Sequence, residues 1–269
     1  MAAIVFVIEV AGLLIRARHY TRIQFEYARM SAILAYALLV AAGLWLLYLA
    51  FEPYVRKFWP HLLIGWTRLL SGRVRDPLVG RDVLIGAAAG TIGSLLIASR
   101  QIIPHLLHLP LETPQLPVAL VLFGTRYAID GALETIVRAL GNALQVVCVL
   151  VFLRIVLRRT WLVMVIGTLL MVPIAMSGTF AAEQLAIELA IALAGIALVF
   201  GVLLQFGLLA LVVTFYTFLT MEVFPITTDL SRPYAGASVV LLLTIGAVSA
   251  YGFYASRGDE PLFGRALLD

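Results

Sequence analysis

Long apolar runs, broken by short polar or basic segments, set the pattern of this chain. Eight runs stand out: residues 2–15, 30–51, 82–99, 139–157, 161–180, 185–204, 206–224 and 236–254. A helix needs ~20 mainly apolar residues to cross the hydrocarbon core of a bilayer. Seven of the runs come close to that length; residues 2–15 are short and carry Glu9, which makes them a doubtful span. All faces of these runs are apolar, whereas strands of a membrane barrel alternate polar and apolar positions. The pattern predicts an all-α fold: a polytopic transmembrane helix bundle with about seven to eight spans, in which residues 1–269 form a single integral membrane domain.

Two segments between the runs have a different rhythm. In residues 60–72, Leu62, Leu63, Trp66, Leu69 and Leu70 share one helical face, Gly72 is placed to end the helix, and Pro77 blocks its continuation. This predicts an amphipathic helix in the headgroup layer with Trp59 and Trp66 as interface anchors. A solvated basic linker helix and a partner docking site are the competing readings. In residues 125–138, Ile129, Leu133, Ile136 and Leu140 form a stripe, and Arg126, Asp130, Glu134 and Arg138 recur every four residues beside it. A second interfacial helix is predicted there, neutralised by Arg126–Asp130 and Glu134–Arg138 pairs. Residues 100–124, with Pro104, Pro110, Pro114 and Pro117, read as an apolar loop folded back on the bundle.

Composition sharpens this picture. At 62% hydrophobic and 13% charged residues, the chain lies far from a soluble domain, where about a quarter of residues are charged. A net charge of +4 over 269 residues gives no footprint for nucleic acid. The bilayer is the expected partner, together with other membrane subunits. Basic residues concentrate in residues 52–81 (Arg56, Lys57, Arg68, Arg73, Arg75 and Arg81), at Arg158 and Arg159, and at Arg257 and Arg265. Short cytoplasmic loops are enriched in Lys and Arg, so these regions and the C-terminus are predicted to be cytoplasmic. Arg16, Arg18, Arg22 and Arg29 conflict with strict alternation of the spans.

Little chemistry is visible. Cys148 is the one cysteine, so neither an intrachain disulfide nor a thiolate cluster is available. His105 and His108 lie three apart and are weak candidates for a tetrapyrrole or metal contact; surface histidines are the plainer reading. No metal site and no cofactor is predicted. Gly86, Gly90 and Gly93 resemble a phosphate loop only superficially, because no Lys-Ser/Thr follows; in a lipid-length run they predict close helix packing. Asn142, Gln145 and Glu188 are the buried polar candidates, with Gln205 and Glu222 also inside apolar runs. They could line a transport path or hydrogen-bond between helices. Hydrolytic and redox motifs such as HExxH, GxSxG and CxxC are absent from the sequence.

Two stretches carry a family resemblance. One runs from Trp45 through Phe51-Glu-Pro-Tyr-Val-Arg-Lys-Phe-Trp-Pro60 and Trp66 to Asp82. The other includes Phe206 to Val213, Phe224-Pro-Ile-Thr-Thr-Asp-Leu-Ser231, Tyr234-Ala-Gly236 and Pro261-Leu-Phe-Gly264. Over roughly residues 30–269 the chain resembles the C-terminal membrane region of a group of large bacterial serine/threonine protein kinases, in which a cytoplasmic kinase domain precedes several spans. The resemblance implies a bacterial inner-membrane location and an anchor or sensor role. The sequence departs from the family in two ways. It has no HRD, no DFG and no glycine-rich nucleotide loop, and Lys57, its sole lysine, follows Arg56 rather than a VAI strand. The resemblance also implies an additional span before the one ending at Phe51; its absence here would explain the charge conflict near Arg16, either because this protein lost it or because the sequence is not the whole natural chain.

The expected function is therefore a non-catalytic membrane anchor or sensor region of a serine/threonine-kinase-like protein. One alternative is an accessory subunit of a larger photosynthetic or respiratory complex, contacting pigment, haem or lipid. The other is a small-molecule permease.

Overall fold

Apolar sequence with few internal breakers forms helix wherever water cannot serve the backbone, because each N–H and C=O must then be satisfied within its own segment. The structure is a computed structural model describing residues 1–17, 22–108, 119–176, 184–229, 231–232 and 234–258. Pro110, Pro114, Pro117, Arg18, Arg265 and the last residues of the predicted 161–180 span lie outside the described residues. Among the described residues the fold is all-helical, with no strand. Helix α1 spans Ala2–Arg16, α2 Ile23–Phe58, α3 Ile64–Leu70, α4 Pro77–Leu106 and α5 Thr125–Leu157. Helix α6 spans Thr160–Ala175, α7 Leu185–Phe206, α8 Leu208–Val223 and α9 Ala235–Ser256.

Five of these, α2, α4, α5, α7 and α9, are long and apolar enough to cross a membrane; α6 and α8 are shorter apolar helices. Apolar side chains fill the core and also cover much of the outer surface. Leu38, Leu39, Leu46, Phe152, Leu169, Leu242 and Leu243 are exposed, while Asp82, Asp130, Glu188, Thr214, Thr217 and Thr220 are buried. Apolar surface of that extent marks contact with lipid or protein rather than water. These features define the class: a helical membrane protein.

Consecutive helices alternate between two ends of the bundle. The α4 start meets the α9 end at Gly80 and Ser256, the 3-10 turn Pro60–Leu63 meets the α7–α8 junction at Gly207, and Arg154 lies 5.7 Å over the Phe58 ring. The basic segments at 56–81, 158–159 and 257 thus share one end. At the other end Gly131 packs on Val121 and Phe224, and Gly236 on Thr125.

Three boundaries differ from expectation. The predicted interfacial helix 125–138 is the first part of α5, continuous with the following span through 33 residues. No breaker separates the two stretches, so one helix of about 50 Å forms. Helix α2 continues through Pro53 to Phe58. Helix α4 runs past residue 99 through Pro104 to Leu106, where a proline in the last turn removes a single ladder bond. Arg126 does not pair with Asp130; its guanidinium donates to the carbonyls of Ile15 and Ala17, which end α1 without intrahelical donors. Asp130 is buried and instead meets Arg16 at 3.5 Å, and Arg16 also reaches Glu134 at 3.9 Å. The expected Glu134–Arg138 contact forms at 4.0 Å. Arg16 is therefore neutralised by acids on α5 at the end remote from the other basic segments.

The segment 60–72 is helical as predicted but sits deeper. Leu62, Leu63 and Trp66 are buried in the bundle. Trp66 is therefore not an interface anchor, while Trp59 stays half-exposed. The reason is Gly207, whose absent Cβ would lie 2.6 Å from the Leu62 carbonyl and whose φ of +89° suits glycine alone. It lets the α7–α8 junction turn directly under the 3-10 segment. Helix α3 ends at Leu70, and Gly72, φ +82°, turns the chain after it, with the Arg73 N–H donating to the Arg68 carbonyl.

The next helix starts on a designed cap. Asp76 accepts the Leu78 N–H at 2.9 Å and the Arg68 guanidinium at 2.6 Å. Burial works against the Asp76 charge, but the Leu78 N–H and Arg68 outweigh it and hold the carboxyl below its ordinary range. A lowered folded-state value means the stabilisation is fully present above the unfolded value, about 3.9, and is lost as pH falls through the lower folded value. D76A is expected to cost about 0.5–2 kcal/mol at pH 7. Thermal melts in detergent at pH 7 and at pH 2–3 check this: the gap between wild type and variant should narrow in acid, and a gap of equal size would contradict it.

Candidate functional site

Helix α8 is the centre of the molecule, with α4, α5, α7 and α9 around it. Its first turn, Leu208 to Leu211, is buried throughout, and so are Thr214, Thr217 and Thr220. Thr214 and Thr220 donate to the Ala210 and Tyr216 carbonyls at 2.8 and 2.6 Å, so these hydroxyls are satisfied on their own helix. Across from them lie Gly86 and Gly90 of α4. Gly93 meets Phe218 and Leu198 instead. The predicted small-residue face is thus a close helix–helix contact.

Where α4 leaves this contact, α6, α7 and α8 diverge and enclose a cavity of about 410 Å³. Its body is apolar, including Ile97, Met171, Ile196 and Phe218. Arg100 and Glu222 bring charge to the wall at the end of the bundle remote from the basic segments. The Arg100 guanidinium pairs with Glu188 at 2.6 Å and donates to the Ala175 carbonyl at 3.0 Å. Ala175 is the last residue of α6 and Glu188 sits in the first turn of α7. One side chain of α4 thereby satisfies a terminal carbonyl of α6 and a carboxylate near the positive end of α7. The Glu188 side chain is only 4% exposed. The Arg100 Nε is buried without a hydrogen-bond partner. The cavity therefore offers an apolar body and one acid, Glu222, beyond the Arg100–Glu188 pair. That combination suits a small amphipathic molecule.

Of the residues singled out from sequence, Gly93 and Glu222 line this cavity, and Glu188 joins it through Arg100. Asn142 is half-buried, Gln145 is exposed, and neither lines the cavity. His105 sits in the last turn of α4 and His108 in the turn beyond, at φ +55°; both are exposed. No group of three His, Cys, Asp or Glu side chains that could hold a metal ion occurs among the described residues. Sequence reading placed Arg100 in a loop and so missed it. The signal that could have found it is a lone arginine directly after an apolar run, facing acids at 188 and 222 in later spans.

A second, polar pocket of about 180 Å³ lies between α1, α2 and α5, lined by Glu9, Arg16, Asp130, Glu134 and Arg138. Its charges already engage one another through the Arg16 and Arg138 contacts. It is read as the seam that holds α1 to α5.

No protein-family model, no curated protein and no solved structure matches this chain.

Proposed function

We propose that this chain is a non-catalytic module of a bacterial inner membrane, the anchor and sensor region of a serine/threonine-kinase-like protein. The cavity beside Arg100 is where it receives its signal, a small amphipathic molecule drawn from the bilayer. The observation that carries this reading is the pairing of an apolar cavity of about 410 Å³ with Arg100 and Glu222 in its wall. Three helices meet at the Arg100 side chain through Ala175 and Glu188, so occupancy would be felt by α4, α6 and α7 together. The sequence resemblance supplies the kinase connection. The alternation of the helices supports seven full spans with α1 as a shorter eighth, and the clustering of basic residues at one end supports a cytoplasmic C-terminus.

The test is affinity capture of the chain from native membranes in mild detergent, followed by identification of co-purifying polypeptides. A kinase subunit, or a kinase domain on the same polypeptide, is the expected result. Recovery of a photosynthetic or respiratory complex instead would replace this reading with that of an accessory subunit. A C-terminal reporter active only outside the cytoplasm would overturn the orientation.

A further inference from the structure

The cavity beside Arg100 carries a charge imbalance that limits what it can hold. Among the residues lining it, Arg100 and Glu222 are the charged ones. The Arg100 guanidinium is already committed, to the buried Glu188 carboxylate at 2.6 Å and to the Ala175 carbonyl at 3.0 Å. Its positive charge is cancelled by an acid that is not part of the wall, and the negative charge of Glu222 is left over. No hydrogen bond or ion pair within 4 Å engages the Glu222 carboxylate among the described residues.

Helix α8 presents Glu222 on its cavity face. Thr214, Phe215, Phe218 and Glu222 are the residues of α8 that line the cavity, and their helical spacing puts all four on one side. Glu222 also lies in the last turn of α8, which ends at Val223. That is the negative end of the helix dipole, where a cation is stabilised and an acid is not. Helix α6 ends at Ala175 and brings a second negative helix end to the same wall. Glu188 is the contrasting case: it sits in the first turn of α7, at a positive end, and is paired. The fold neutralises one acid and leaves the other open to the cavity.

A carboxylate in an apolar wall is costly unless a cation or a proton neutralises it. A bound ammonium would do so while its apolar body lay along Ile97, Met171 and Ile196. Phe200, Phe215 and Phe218 add aromatic wall, which suits an ammonium group. A carboxylic amphiphile would set a second negative charge beside Glu222 and find Arg100 already paired.

We propose that the cavity takes an amphipathic amine, with its ammonium at Glu222 and its apolar body between α4, α6, α7 and α8. This rests on the reading of the cavity as the place where the signal is received, and narrows that signal to a positively charged one.

The experiment is titration calorimetry of the full chain in phosphatidylcholine discs, with the heat of empty discs subtracted. The probes are phenylbutylamine, phenylbutanol and phenylbutyrate, which share an apolar body and differ in the charge of the head. The amine is expected to bind about ten- to hundredfold more tightly than the alcohol, the scale of a hydrogen bond to a charged group, and the acid most weakly. E222Q should bring the amine down to the affinity of the alcohol and leave the alcohol unchanged. G195F keeps Glu222 and fills the cavity, since Gly195 lines it and nothing lies within 4 Å of a Cβ built there. It should lose the amine and the alcohol alike, even if E222Q does not fold. Discs of phosphatidylethanolamine separate the sources of the ammonium: amine binding weakened about tenfold there supports a lipid headgroup as the occupant, and unchanged binding supports a free amine. Equal affinity for amine and alcohol, tighter binding of the acid, or an amine preference that survives in E222Q would overturn the proposal and leave the cavity as a receiving site. No binding of any probe, or undiminished binding in G195F, would overturn both.

Discussion

The double variant G86L/G90L is expected to lose the assembled bundle. A Cβ on Gly86 would lie 2.5 Å from the Ala210 carbonyl oxygen and 2.7 Å from the Val213 Cβ. One on Gly90 would lie 2.6 Å from both the Thr214 carbonyl oxygen and the Thr217 Cβ. Two of these four neighbours are backbone oxygens, which no rotamer change can move, so α4 and α8 must separate. Overpacking a well-packed contact costs about 1–3 kcal/mol per site, and here both sites act on one helix pair. In lipid the loss is not cushioned by hydrophobic re-burial, because association there depends on close packing itself. Gly246 supplies the control, since nothing lies within 4 Å of a Cβ built on it. In detergent, G246L should remain monodisperse with a wild-type melt, while G86L/G90L aggregates or melts well below it. A wild-type melt for G86L/G90L would show that the contact does not hold the bundle.

R100L is the second large expectation. It leaves the Glu188 carboxylate, 4% exposed, with no cation, and removes the donor to the Ala175 carbonyl. Breaking a buried pair from one side costs about 3–5 kcal/mol, whereas replacing both partners by apolar residues is often close to neutral. R100L should therefore melt far below wild type, and R100L/E188L should recover most of the loss. The recovery separates two roles of the pair. If R100L/E188L regains stability, the pair is not needed to hold the fold, and its retention points to the cavity. If the double variant is as unstable as R100L, the Arg100–Ala175 bond is what ties α6 to α4.

The pattern of apolar runs made most helices legible, because a bilayer-spanning helix is recognised from consecutive residues without reference to neighbours. Boundaries went astray at Pro53, Pro104 and residue 138. At Pro104 and residue 138 a change of pattern was read as a boundary, and at residue 51 the apolar run ends, whereas each helix continued: a proline near a helix end costs one bond, and a charged stripe can extend a span beyond the bilayer. Trp66 was misplaced for another reason. Its position on an amphipathic face was read correctly, but which surface that face meets depends on Gly207, far away in the chain, packing on the Leu62 carbonyl.

The candidate site was only partly legible. Glu188 drew attention as an acid at a span edge, yet its partner Arg100 lies 88 residues earlier, a separation that no local spacing rule connects. Arg126 looked like the partner of Asp130 because the two are one turn apart. The structure gives Arg126 to the carbonyls ending α1 and gives Asp130 to Arg16. Bare helix-terminal carbonyls in lipid are a stronger claim on a guanidinium than an exposed side-chain pair worth ~0.2–0.5 kcal/mol.

Hydropathy and charge belong to neighbouring residues, so reading along the chain was enough to establish a helical membrane protein, the small-residue face of α4 and the gathering of arginines at one end. Which charges meet, which tryptophan is buried and where the two cavities open depend on groups brought together from distant segments. The energies that choose among those contacts come from shape and desolvation in three dimensions, and the order of residues along one helix carries no record of them.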